Sequence, residues 1–215
     1  MSILADFKAS GYAIGDLQAV RYDRNSPLFP DGYLGFLYRG LGEGRRNGFR
    51  RSNLQMTFTG MTDLSFDAIV SYLAAQKLIV LGKWEGQTFR TAGICWPNLL
   101  LAERRTGFGS YTALRWIWGS PEEEIFGMLG IAALFEEFNL IQLHGQRYAE
   151  NHLTARFMAR FGFKDVSGPI PRLLAKAGEA EPRPGIISTL SREDFERNCE
   201  ERIAAAAGRI SLAIS

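Results

Sequence analysis

The stretch ENHLTARFMARFGF, residues 150–163, decides how the rest of this chain is read. Leu153, Phe157 and Phe161 recur at helical spacing while Arg156 and Arg160 fall on the other side, which predicts an amphipathic helix. Asn151 stands at its N-cap, where the side-chain oxygen can accept a bond from an orphan amide of the first turn. Gly162 stands where a left-handed residue ends a helix. The preceding LIQLHGQRY (140–148) reads as a strand, and Gly162-Phe163 leads into another. The unit is a strand, a capped helix and a strand.

Working toward the N-terminus, SPEEEIFGMLGIAALFEEF (120–138) is a second strongly signalled helix. Ser120 suits its N-cap, Pro121 its first position, and Glu123 would complete a capping box with Ser120. From Ile125 to Phe135 it is apolar on nearly every side, the pattern of a helix buried under a sheet. Gly127 and Gly130 each cost about 1 kcal/mol relative to Ala inside a helix. Close packing on the sheet or close approach of a ligand would account for them. SYTALRWIWG (110–119) has strand composition. KLIVLGKWEG (77–86) and TFRTAGICWP (88–97) read as a hairpin turning near Glu85-Gly86. LSFDAIVSYLAAQ (64–76) is a helix, and LQMTFTGM (54–61) alternates like a strand.

Toward the C-terminus, PIPRLL and GIISTLS are closing strands around the turn AKAGEAEPRP. SREDFERNCEERIAAAAG is a final helix capped by Ser191 and Asp194 and stopped by Gly208. The order of strand, helix, three strands, helix, strand, helix and further strands predicts a mixed α/β (α+β) sheet with helices packed on it, neither doubly wound nor a barrel. Residues 24–52 differ, being dense in Gly, Pro, Arg and aromatics without sustained periodicity. Phe29, Tyr33, Phe36, Leu37 and Tyr38 want burial, so residues 1–53 are expected to be an arm against the body or a neighbouring chain, and 54–215 the main domain. Arg45, Arg46, Arg50 and Arg51 are either a solvated loop or a phosphate grip.

Composition narrows the function classes. With 46% hydrophobic and 22% charged residues the 215-residue chain has globular usage, and its net charge of +2 gives no general attraction to nucleic acid or anionic lipid. Two cysteines, Cys95 and Cys199, and two histidines, His144 and His152, make a disulfide framework or a metal centre unexpected. MSILAD lacks the features of a signal peptide and no apolar run is long enough to span a bilayer. The expectation is a protein of a reducing cytoplasm.

Residues 54–195 resemble the GNAT acyltransferase superfamily, most closely over LIQLHGQRYAENHLTARFMARFGFKDVSGPIPRLL. Asn151, Gly162 and Phe163 fall on that superfamily's spacing. Thr154 stands where its ribosomal-protein N-terminal acetyltransferase branch often has Ser, and ISTLSREDF is similar to the end of that branch. The resemblance implies a mostly antiparallel sheet flanked by helices, and acetyl-CoA as donor to an amine. It implies that the strand at 110–119 splays from its neighbour to pair with pantetheine, and that the following loop and helix N-terminus bind the pyrophosphate. The residues it assigns to acyl-CoA are Ile117, Trp118, Gly119, Gly127, Asn151 and Thr154.

The sequence departs from that superfamily at two places. Its usual phosphate-loop pattern is Q/R-x-x-G-x-G/A, where this chain has Glu124, Gly127 and Leu129. Glu122, Glu123 and Glu124 stabilise the helix by about 0.3–1 kcal/mol each but would repel a phosphate, unless they point away or Arg115 or Arg147 offsets them. The superfamily's Tyr seven residues after the Asn is Met158 here, which has no proton to give. Tyr148, Glu103 and His144 are alternative acid or base groups, each with a structural role that would equally explain it. Two function classes stay open. One is an N-acetyltransferase acting on an amine of a peptide terminus or small molecule, with a protein partner or self-association through the arm. The other is an inactive GNAT-fold binding or structural protein, of a kind that resembles some bacteriophage gene products.

Overall fold

Among the described residues, alternating apolar residues in the strands and apolar stripes on the helices give two cores, one on each face of a single sheet. The computed structural model describes residues 3–42, 57–176 and 181–202. In chain order the elements are α1 (Ile3–Ala9), β1 (Ala13–Ile14), β2 (Leu17–Arg21), α2 (Tyr33–Leu41), α3 (Phe66–Ala75), β3 (Ile79–Glu85), β4 (Thr88–Leu101) and β5 (Thr106–Ala113). There follow α4 (Pro121–Glu137), β6 (Gln142–Tyr148), α5 (His152–Arg160), β7 (Lys164–Asp165), β8 (Ile170–Leu174) and β9 (Arg183–Ser191). A further helix, α6, runs through the described residues 192–202.

Among the described residues the sheet has nine strands in the order β1-β2-β3-β4-β5-β6-β9-β7, with β8 also on β9. Every pairing is antiparallel except β5 with β6. One core joins α1, α4 and α6 to the sheet through Leu4, Phe126, Leu129, Phe135 and Phe195. The other lies under α2 and α3 and contains Leu37, Ile69, Leu73, Val80, Ile94 and Trp96.

Several expectations meet their reasons here. Ser65 caps α3 by accepting from the Ala68 amide, and Gly86 (φ 65°) turns the β3–β4 hairpin. Asp194 donates its amide to the Ser191 hydroxyl at the start of α6. The segment read as an arm does bury Phe29, Tyr33 and Leu37, but it is not aperiodic. It supplies a helix, α2, and before it a strand, β2, paired to β3 from Leu17↔Lys83 to Arg21↔Ile79. The Arg cluster at 45–51, the boundary at residues 53 and 54 and the stop at Gly208 lie outside the described residues.

The strand expected over 54–61 is corrected within the described part, where residue 57 is helical and 58–60 form a turn ending at Gly60 (φ 85°). Burial of Phe58 against Trp96 and Tyr72 sets that turn. The strand expected at 110–119 is likewise shifted, ending at Ala113 and starting at Thr106. Residues 115–117 form a 3₁₀ turn because the Trp116 and Trp118 indoles donate to the carbonyls of Thr91 and Ala113 instead of lying along a strand.

Candidate functional site

The parallel β5–β6 pairing lasts only from Thr106↔Gln142 to Phe108↔His144, after which the strands part. Beyond that point β5 stays paired to β4, and β6 to β9. Backbone groups alternate sides along a strand. Since the Leu114 amide donates to Ala92, and Ala149 to Pro184, it is Tyr111 and Ala113 on one strand and Gln146 and Tyr148 on the other that face the gap. The result is a fork with backbone edges on both arms.

Both cores send side chains to this fork. On the α4–α5 face, the Tyr111 ring stacks on Phe157 (centroids 4.9 Å apart, 26°) and Met158 packs at Gly145. The Tyr111 hydroxyl is buried without a hydrogen-bond partner, and burial, then the nearby Glu123 carboxylate, push its pKa well above the usual phenol range. On the other face, residues 57–60 cross the fork as a strap. Thr57 meets Thr112 of β5 (3.4 Å), Thr59 meets Tyr148 of β6 (3.3 Å), and the Gly60 amide donates to Ala175.

At the mouth of the fork the loop from Leu114 runs into α4. Its amides are occupied from within: Ile117 donates to Leu114, Trp118 to Arg115, Ser120 to Ile117 and Glu123 to Ser120. The Gly119 amide, at a residue with φ 73°, donates to the Glu123 carboxylate at 2.8 Å. The expected capping box is therefore displaced by one residue, since Glu123 reaches Gly119 and Ser120 makes no side-chain cap bond. The three glutamates diverge. Glu122 pairs with Lys83 (3.3 Å), Glu123 takes Gly119, and Glu124 pairs with Arg202. Lys83 and Arg202 thus compensate two of the three, and Arg147 is engaged by Asp165 at 2.7 Å.

The remaining expected residues separate. Ile117 is buried in the α4 core, and Trp118 is 42% exposed with its indole on Ala113. Asn151 caps α5 through the Thr154 amide (3.0 Å), and its own amide takes the Tyr148 carbonyl. A Cβ on Gly127 would meet the Phe157 and Phe161 rings, so helix packing accounts for that glycine. Gly130 packs against Cys95 and Leu81. Leu153, expected in the core stripe, is 78% exposed; Phe157, Met158 and Phe161 make the contact, because α5 meets the sheet only from its second turn. Glu103 lies exposed in the β4–β5 turn, at the closed end of the strand pair. His144 stacks on Phe108 (5.0 Å), with its pKa lowered by burial. Tyr111 was missed by sequence reasoning; its only signal was its place in the strand expected to splay.

A surface cleft beside Arg21, Arg24, Leu34 and Gln76 lies between β2, α2 and α3, away from the fork. Among the described residues no helix is long and apolar enough to cross a membrane, and no three His, Cys, Asp or Glu side chains gather as a metal site.

No protein-family model matches the chain, and no curated protein sequence does. Solved structures do match in shape. A spermidine N-acetyltransferase from Vibrio cholerae, in complex with CoA and spermine, has a TM-score of 0.62 at 12% identity, covering 84% of this chain and 98% of that one. A ribosomal L7/L12 α-N-protein acetyltransferase in complex with coenzyme A has a TM-score of 0.62 at 9% identity, covering 83% and 95%. A candidate ribosomal-protein-serine acetyltransferase from Vibrio cholerae has a TM-score of 0.59 at 15% identity, covering 84% and 96%. The chain has the GNAT fold.

Proposed function

We propose that this chain is an N-acetyltransferase that takes acetyl-CoA at the β5–β6 fork and passes the acetyl group to an amine of a peptide terminus or small molecule. The observation that carries the reading is the fork itself. Two strands that part after Phe108 and His144 leave backbone edges at Tyr111 and Gln146, and the Ala113 amide, that an extended amide chain can pair with. The reading assigns Ile117, Trp118, Gly119, Gly127, Asn151 and Thr154 to the acyl-CoA. Neighbouring structures of the same fold carry coenzyme A.

Attack of an amine on a thioester needs positioning and proton removal, not a covalent enzyme nucleophile. Both cysteines are buried, and burial raises both thiols, Cys199 to about 12, so neither serves as one. The reading assigns the protein to the cytoplasm, where free thiols persist. Purified protein incubated with acetyl-CoA and a panel of amines, spermidine and short peptides with free N-termini among them, tests it. Amine-dependent release of CoA thiol is the expected result, and no thiol release together with no binding at millimolar acetyl-CoA would sink it.

A second reading, a GNAT-fold binding protein without acyl transfer, is favoured by one specific observation. The loop amides at 117–120 are already bonded within the chain, beside three glutamates. Under that reading acetyl-CoA produces no heat of binding at any salt concentration.

A further inference from the structure

Two groups near the fork are mismatched in their bonding. The Tyr111 hydroxyl is buried against Phe157 and has no partner. The Gly119 amide has one, supplied by a carboxylate four residues along the same chain. A buried hydroxyl left unsatisfied destabilises the fold that holds it, and an acceptor oxygen of a ligand in the fork would satisfy it. The two groups belong to one continuous segment, Tyr111 on β5 and Gly119 in the loop that carries β5 into α4.

We propose that Glu123 is a built-in stand-in for a ligand phosphate and that Tyr111 is a ligand-binding hydroxyl, so that acyl-CoA enters by displacing the carboxylate from the Gly119 amide. This rests on the acyl-CoA reading above. A carboxylate oxygen and a phosphate oxygen offer an N–H the same charge-assisted acceptor, and the first turn of a helix attracts either. Glu123 is tethered to its amide, so a free ligand competes against a high effective concentration. Its displacement uncovers an amide at the mouth, while Lys83 and Arg202 offset the charges of Glu122 and Glu124 at the same turn. Tyr111 then donates its hydroxyl to an amide or thioester oxygen of the ligand within the fork.

The test is calorimetry with acetyl-CoA and with S-acetylpantetheine, which lacks the phosphates, on wild type, Glu123→Gln, Glu123→Ala and Tyr111→Phe. Glu123→Ala should tighten acetyl-CoA about tenfold. Glu123→Gln should gain less, because its amide oxygen still accepts from Gly119. S-acetylpantetheine should bind both Glu123 variants as it binds wild type. Tyr111→Phe should weaken acetyl-CoA about fivefold while raising Tm, since it removes an unsatisfied buried hydroxyl. Equal gains from Gln and Ala would reduce Glu123 to general repulsion and overturn the stand-in. Unchanged affinity in Tyr111→Phe would overturn the hydroxyl's role. If wild type binds and no variant differs, this proposal alone falls; if neither wild type nor Glu123→Ala gives heat at millimolar acetyl-CoA, the acetyltransferase reading falls with it.

Discussion

At Gly162 the chain leaves α5 with φ 89°, and a Cβ there would run into the Asn198 side chain and touch Leu190 at 3.5 Å. Left-handed strain and overpacking act together, so Gly162→Val should cost about 2–4 kcal/mol, read from the urea midpoint at constant slope. Function plays no part in that outcome. Arg147 poses a different residue-scale problem, because its side chain is 7% exposed and its Nε has no partner. Its charge is matched by Asp165, which also accepts from Ser188 at 2.6 Å. Asp165→Asn should destabilise by about 1–3 kcal/mol through the cation it strands. Wild-type stability in that variant would mean that Arg147 finds water instead.

Among the elements, α5 was legible from its ends. Asn151 and Gly162 behave as their side chain, or lack of one, dictates, because capping is local chemistry. Its core stripe was legible only in part, since which turn first meets the sheet depends on the angle between them, and that angle is tertiary. The end of β5 was misread for a related reason. Aromatic and β-branched residues suit a strand, but two indole N–H groups found carbonyl partners that only the folded sheet provides. The fork could be expected from the resemblance; its occupants, Tyr111 on Phe157 and the Thr57–Thr59 strap, could not, as they join residues distant in sequence. On β6, His144 titrates in a place where burial disfavours its charged form. The unfolded imidazole takes a proton near pH 6.5 before the folded one does. Stability should thus be level above about pH 6.5 and fall as pH drops through the lowered folded value. His144→Gln should flatten the change in urea midpoint between pH 7.5 and 5.5; an equal slope in both proteins would locate the titration elsewhere.

For the whole molecule, the N-terminal residues are part of the sheet and of the core rather than an addition to them. Leu4 is fully buried in the cluster that holds α4, and β2 extends the sheet beyond β3. Leu4→Ala should therefore cost about 2–5 kcal/mol, the range of a core truncation, where a residue on a loosely docked arm would show almost nothing in the melt. The same sheet has a further consequence. β3 gives Ile79 and Leu81 to one core and Val80 to the other, while β4 gives Cys95 to the first and Ile94 and Trp96 to the second. The two cores thus share a wall one residue thick, and loss of order on either side deprives the other of its backing. The heat-capacity trace should show one peak, and Phe135→Ala in one core or Trp96→Ala in the other should move that same peak without splitting it. Amides buried in α3 and in α4 should then exchange with solvent at matching rates once local fraying is subtracted, because the opening that exposes either is the opening of the entire chain.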